Sequence, residues 1–168
     1  MFFKKLKGDQ QPLPARANTR SIAVAALGGA LAIIVLGIFG LVLENAVLLG
    51  SLGATCVLLF GFPDAPFSQP RNIVLGHVIS SLIGLSLVSI FGYHVWVLAL
   101  ALALAIATMM FTRTVHPPAG SNPVIIFLLH PSWSFLIFPT LIGALLVVIV
   151  GLFYLNVARS EKYPKYWL

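Results

Sequence analysis

The chain has 168 residues, 60% of them hydrophobic, with a mean hydropathy of +1.03 and a charged set of only ten Lys or Arg and four Asp or Glu. About a quarter of the residues of a soluble domain are charged, so 8% excludes soluble globular, disordered and fibrous proteins. One cysteine, Cys56, excludes a disulfide framework and a Cys-based zinc or iron–sulfur centre. What remains is an integral membrane protein.

Residues 1–20 hold Lys4, Lys5, Lys7, Asp9, Arg16 and Arg20 together with Pro12 and Pro14, and read as a basic cytoplasmic tail. The apolar run that follows is too long for a signal peptide and leads to no small-residue cleavage site. Residues 22–43 form the first span, which ends at Glu44-Asn45. An apolar run over 46–62 is interrupted by Gly50, Ser51 and Gly53, and a polar loop over 63–71 carries Pro63, Pro66 and Pro70. Residues 72–91 make the next span, Gly92-Tyr93-His94 a tight turn, and 95–112 a span rich in Ala and Leu. A second polar break over 113–123 leads to 124–130, too short to cross as a helix, and 135–158 is the last span. Residues 159–168, with Arg159, Glu161, Lys162 and Lys165, form a second basic tail, cytoplasmic or interfacial.

The basic residues flank apolar spans instead of forming a patch interleaved with aromatics. This is positive-inside anchoring with both termini cytoplasmic; no nucleic-acid partner is expected, and the bilayer is. A bacterial inner membrane is the simplest address.

The single membrane domain, 21–158, reads as two halves, about 22–91 and 94–158, related by an offset of 67 residues. Gly53 matches Gly120, Val57 Val124, Phe60 Phe127, Gly76 Gly143, Gly84 Gly151 and Leu85 Leu152. Each half repeats one plan: long span, glycine-broken short helix, long span. The expected fold is therefore an all-α helical bundle of two three-segment repeats, four full spans plus two short or broken segments. If the short segments cross, Arg71 and Arg113 fall inside with both termini and Glu44 falls outside, which favours six segments over four. Small residues at every fourth position (Gly76, Ser80, Gly84; Ala99, Ala103, Ala107; Gly143, Gly151) suit close helix packing in lipid.

The two breaks carry the chemistry. Non-helical backbone at membrane depth is tolerated only where it is buried in protein or lines a wet cavity. Gly50-Ser51-Leu52-Gly53-Ala54-Thr55 opens one short helix, and Ser121-Asn122-Pro123 the other. Helix N-termini carry free N–H groups and partial positive charge, so two of them converging near the midplane make a site for a small anion. Arg71 suits a planar oxyanion, or pairs with Asp64 or a lipid phosphate. His116 either titrates near neutral pH or braces the Pro117-Pro118 turn. His77, in mid-span, is expected to hydrogen-bond a neighbouring helix. No paired carboxylate, HExxH, Ser-His-acid set or P-loop is present, and the four histidines are not at metal-ligand spacing. No enzyme, cofactor or metal is expected.

The run HPPAGSNP at 116–123 resembles the signature of the HPP family of integral membrane proteins, named for His-Pro-Pro. GSLGATCVLLFGFPDAPFSQPRN at 50–72 is similar to that family's second block; Gly76-His77 and YPKYW at 163–167 fit the same pattern. The family is usually described with four spans, and chloroplast and cyanobacterial members are associated with nitrite transport. The resemblance therefore implies transport of nitrite or a similar small monovalent oxyanion. By motif it carries Gly53, Ala54, Thr55, Gln69, Arg71 and Asn72, then His116, Pro117, Pro118, Gly120, Ser121 and Asn122. A non-transporting membrane scaffold or sensor subunit is the alternative, and a homo-oligomer suits so small a chain.

Overall fold

The structure is a computed structural model that describes residues 5–6, 11–44 and 47–167. Lys4, Lys7, Asp9 and Asn45, named above in the tail and at the end of the first span, lie outside the described residues. Among the described residues the chain is helical and has no strand.

Helix α1, Thr19–Val42, begins where the Asn18 side chain accepts a hydrogen bond from the Ser21 amide at 2.8 Å. Its 24 residues rise about 36 Å, more than the ~30 Å hydrocarbon core. Only Gly28, Ala32 and Leu36, one line at four-residue spacing, are buried. Ala25 and Phe39 pack against the core beside that line, and Leu27, Leu31, Ile34, Ile38 and Leu41 face outward.

Helix α2 spans Gly50–Gly61 and is followed by a 3-10 turn, Pro66–Ser68. Pro70 opens helix α3, Pro70–Phe91, at a position where its missing N–H costs nothing. Gly92, with φ +78°, ends it. Helix α4, Val95–Phe111, runs into a bend where Arg113 adopts φ +56°. A 3-10 turn over Pro117–Ser121 delivers the chain into helix α5, Asn122–Leu129, which stops at left-handed His130. Pro139 lacks an amide N–H, and the backbone around it forms a wide turn, Ile137–Leu141, before helix α6, Ile142–Ala158. The last span expected over 135–158 is thus helical but broken at its start. Thr19–Val42, Pro70–Phe91 and Trp133–Ala158 are long and apolar enough to cross a membrane; Gly50–Gly61, Val95–Phe111 and Pro117–Leu129 are shorter apolar segments.

The segment ends gather at two poles. At one, Arg20 reaches Ala158 O, Arg159 pairs with Asp64 at 2.8 Å, Tyr163 Oη donates to Ser68 O at 2.8 Å, and Arg71 donates to Thr112 O at 3.0 Å. At the other, Tyr93 packs on His130 with ring centroids 3.8 Å apart, and Val47 O lies against Gly143. Among the described residues the chain therefore passes back and forth between the poles, and the short helices α2 and α5 cover only part of that distance. Arg20, Arg71, Arg113, Arg159, Lys162 and Lys165 all belong to the first pole, and Glu44 to the second.

Glycines seat the short helices. A methyl group on Gly84 of α3 would stand 2.9 Å from Ile126 Cδ1 and 3.3 Å from Pro123 Cα of α5. A methyl group on Gly151 of α6 would meet Leu59 Cδ2 of α2 at 2.8 Å. Each long helix thus clasps the short helix of the other half of the chain. The alanine stripe on α4 is a correction. Ala99, Ala103 and Ala107 face outward, and Val97, Ala101, Ala105 and Met109 are the buried line. Spacing of four supplied the period of that helix but not its phase.

Polarity is arranged inside out. Phe111 is 89% exposed and Val157 88%, whereas Ser51, Thr55, His77, Ser80, Ser81, His116, Asn122 and Thr140 are buried. An apolar exterior around a polar interior is the arrangement a bilayer solvates.

Candidate functional site

The polar interior is assembled by the two short helices meeting α3. On α2, Thr55 Oγ1 lies 2.9 Å from Ser51 O, the i−4 carbonyl to which threonine commonly bonds. The same oxygen lies 3.0 Å from His77 Nε2 and 2.9 Å from His116 Nε2. His77 comes from the middle of α3, and its other ring nitrogen, Nδ1, is 3.1 Å from Asn122 Nδ2 at the start of α5. Asn122 Nδ2 also donates to Ser81 Oγ at 2.8 Å, and Ser81 shares a 3.0 Å hydrogen bond with Thr140. His116 Nδ1 lies 2.7 Å from Phe67 O in the polar loop, so that nitrogen carries a proton. The imidazoles of His77 and His116 are 5.1 Å apart, centroid to centroid.

Two buried polar atoms of this cluster have no partner: Ser51 Oγ and Asn122 Oδ1. Both belong to the first turn of a short helix. Burying an unpaired polar group costs about 1–3 kcal/mol, so each marks a place where the interior has hydrogen-bonding capacity to spare. His77 and His116 are two nitrogen donors in reach of each other; among the described residues no third His, Cys, Asp or Glu joins them in a metal-binding group.

Of the residues marked in the sequence, Ser51, Thr55, His116 and Asn122 meet in this cluster. Pro118 is buried in the turn beneath it, and Ser121 Oγ closes that turn by donating to Pro118 O at 2.8 Å. Gln69 and Asn72 are also buried but work at the first pole. Gln69 Nε2 donates to Pro63 O and Ala65 O, and its Oε1 accepts from the Lys165 amide at 2.7 Å. Asn72 Nδ2 donates to Val115 O, and its Oδ1 lies 3.0 Å from Tyr166 Oη. The Arg71 guanidinium is bonded at Thr112 O, where α4 ends. Ala54 and Pro117 face outward, Gly53 lines a groove with Gly29 and Cys56, and Gly120 lies against Leu102.

His77, Ser80, Ser81 and Thr140 were not among the marked site residues, and the first three share one face of α3. Ser80 Oγ donates to Ala119 O at 2.6 Å. The signal was an ionisable residue in mid-span with two serines one turn beyond it. A histidine inside a membrane segment is by default a functional candidate.

The segment after α6 folds back over the first pole. Arg159 and Lys165 both pair with Asp64, at 2.8 and 3.1 Å. The hydrogen bond from Arg159, with help from Lys165, holds the Asp64 carboxyl below the usual aspartate range. Burial pushes the Tyr163 phenol up, and its hydroxyl is committed to Ser68 O. A cleft of about 570 Å³ opens here, lined by Asn18, Arg20, Asp64, Arg159 and Glu161 among others. It lies over the end of the bundle, not in the buried cluster.

A family model for the HPP transmembrane region matches residues 14–164, and so takes in both breaks, every residue of the cluster and most of the C-terminal segment. The chain belongs to the HPP family of transmembrane proteins. Two transmembrane proteins of Dictyostelium discoideum are similar to this HPP chain. One is 35% identical over 99% of it, and the other 36% identical over 74%. Those alignments cover 57% and 46% of the relatives, so the chain spans about half the length of the curated relatives it matches. No solved structure matches it.

Proposed function

We propose that this HPP chain is the membrane core of a transporter for nitrite or a similar small monovalent oxyanion. The observation that carries the reading is the meeting of the two short helices on one imidazole near their N-termini: Thr55, in the second turn of α2, and Asn122, the first residue of α5, flank His77, with Ser51 Oγ and Asn122 Oδ1 unpartnered beside them. Helix N-termini favour anions, and broken helices that meet inside a bundle are how many carriers build a substrate site. Arg71, at the first pole, attracts the anion to the entrance.

The back-and-forth course of the chain between the poles supports a reading of six crossings made by two inverted three-segment halves, with the basic first pole cytoplasmic in a bacterial inner membrane. Exchange of the short helices between halves, through Gly84 on Ile126 and Gly151 on Leu59, supports the duplication.

Uptake of nitrite into proteoliposomes, with nitrate, formate and chloride as competitors, tests the function. Saturable protein-dependent flux is expected. The alternative, a scaffold or sensor subunit, draws on one observation: every side chain of the cluster is closed off from both poles. Folded protein with no flux above empty vesicles gives that alternative the field.

A further inference from the structure

Every side chain of the cluster is buried, so a solute reaches it only when a cover moves. On the first-pole side that cover can be followed bond by bond. His116 stands between Thr55 and the pole: its Nε2 faces Thr55 Oγ1 at 2.9 Å, and its Nδ1 donates to Phe67 O at 2.7 Å. Phe67 lies in the 3-10 turn Pro66–Ser68 of the polar loop. The C-terminal segment crosses that turn and grips both neighbours of the His116–Phe67 bond. Tyr163 Oη donates to the carbonyl of Ser68, next to Phe67, at 2.8 Å. Tyr166 Oη lies 3.0 Å from Asn72 Oδ1, and Asn72 Nδ2 donates to the carbonyl of Val115, next to His116, at 3.0 Å. The same Tyr166 oxygen is 3.0 Å from Pro66 O, where the turn begins.

We infer that residues 159–167 are the latch of a first-pole entrance: Tyr163 and Tyr166 hold the loop against the His116 turn, and release of the segment opens the interior from that side. The inference rests on the transport reading for the need to open, and adds the side and the segment that do so. The attachment of the segment suits a part that lets go. Residues 159–167 belong to no helix, and among the described residues 160–167 make no backbone–backbone hydrogen bond. Their bonds to the loop run through side chains: the two tyrosine hydroxyls, Gln69 Oε1 accepting from the Lys165 amide, and Lys165 on half-exposed Asp64. The segment can therefore leave without unfolding a helix, the kind of local opening that takes little of the global stability. A carrier needs such an opening on one face while the other stays shut.

Packing sets the direction of the movement. His116 is backed by α3, where a methyl group on Gly76 would stand 2.8 Å from its Cβ. The imidazole therefore leaves Thr55 by moving with the loop, away from α3. The hold on the segment weakens along it. Asn156 of α6 receives the Tyr163 amide at 3.1 Å and fixes the hinge. Tyr163 is buried, Tyr166 half-buried and Trp167 57% exposed, so Tyr166, the arm that reaches the His116 turn through Asn72, lets go first.

The test is acylation of His116 by diethyl pyrocarbonate, which attacks accessible neutral imidazoles, on the full chain in lipid nanodiscs with mass-spectrometric readout. In the wild type His116 is expected to react far more slowly than the exposed His94 and His130 of the second pole. Tyr163→Phe combined with Tyr166→Phe keeps both rings and removes both hydroxyls. It is expected to speed His116 about tenfold or more, the effect of losing two ordinary hydrogen bonds. Amide exchange is expected to rise over 63–69, while His94, His130 and exchange over 130–141 stay as they were. Tyr154→Phe, which removes a bond of the same kind to Val24 O, is expected to leave His116 slow. Should the double variant not fold, each single one is expected to give a smaller rise. An unchanged His116 rate without the hydroxyls overturns the latch. An equal rise in Tyr154→Phe, or faster exchange at both poles, overturns it as well, because either is general loosening. The assay uses no anion, so a failed latch leaves the nitrite result untouched, and absence of uptake beside a latch that opens strikes the transport reading alone.

Discussion

Thr55 and Asn122 hydrogen-bond to opposite nitrogens of one imidazole, Thr55 Oγ1 to His77 Nε2 at 3.0 Å and Asn122 Nδ2 to His77 Nδ1 at 3.1 Å. These two residues lie on the two short helices, Thr55 in the second turn of α2 and Asn122 at the start of α5. His77 therefore joins the two short helices, and a substitution there acts on both at once.

Thr55→Val removes the hydroxyl and keeps the shape of the side chain. It leaves both histidine Nε2 atoms without a partner in a buried interior, at a cost of about 1–3 kcal/mol. Thermal unfolding in detergent is expected to drop accordingly and anion uptake to disappear. Thr55→Ser restores the oxygen and is expected to recover both. A valine variant with wild-type stability and flux would remove Thr55 from the centre of the network.

Gly76 and Gly53 separate packing from chemistry. A methyl group on Gly76 would stand 2.8 Å from His116 Cβ and 3.2 Å from Thr114 O, and neither is the free end of a flexible chain. Gly76→Ala is expected to cost about 1–3 kcal/mol and to displace His116 from Phe67 O. Gly53 has nothing within 4 Å of its missing Cβ, and Gly53→Ala in the body of α2 is expected to gain about 0.5–1 kcal/mol. Uptake assays on the two variants check the contrast; loss of transport in Gly53→Ala would return Gly53 to the site.

Much of this was legible in the sequence, because breaks in apolar runs are visible there. Ser51, Thr55, His116 and Asn122 flank glycine or proline breaks, and those breaks are where the polar interior forms. His77 carried its own signal, an ionisable residue in mid-span, but its partners lie on other segments and only the fold brings them to it. Gln69, Arg71 and Asn72 were carried by the family motif, Arg71 also by its charge beside a break. Their side chains pin the loop, the end of α4 and the C-terminal segment. Which carbonyl an arginine or amide side chain reaches is a tertiary fact that no local pattern carries, as is the phase of the alanine stripe on α4.

Asp64 fastens the C-terminal segment, and the fastening depends on pH. Its folded carboxyl titrates below the ordinary value of about 4 because Arg159 and Lys165 favour the ionised form. The contribution is present above that ordinary value and is lost as the pH falls through the depressed one. Half of the Asp64 side chain is in solvent, so the effect on global stability is small and weakens with salt. Limited tryptic cleavage after Arg159 and Lys162 is the sensitive readout. Asp64→Asn is expected to speed cleavage at neutral pH, with high salt doing the same to the wild type. Equal rates in wild type and variant would show that Tyr163 and Gln69 hold the segment without the ion pairs.

Two residues decide between six crossings and four. With six, Arg113 shares a side with Ser160 and His94 lies opposite; with four re-entrant-type crossings, His94 shares a side with Ser160 and Arg113 lies opposite. The structure sets Arg113 beside Thr112, whose carbonyl Arg71 binds at the first pole, while His94 starts α4 at the second. Cys56 is replaced by alanine, and single cysteines are placed at Ser160, Arg113, His94 and Glu44. A membrane-impermeant maleimide is then applied to intact cells and to lysed ones. Glu44→Cys and His94→Cys are expected to label in intact cells, and Arg113→Cys and Ser160→Cys only after lysis, as six alternating segments with a cytoplasmic basic pole require. Labelling of Arg113→Cys but not His94→Cys in intact cells would sink the inverted arrangement. The two short helices would then enter and leave on one face, and their meeting on His77 would need another explanation.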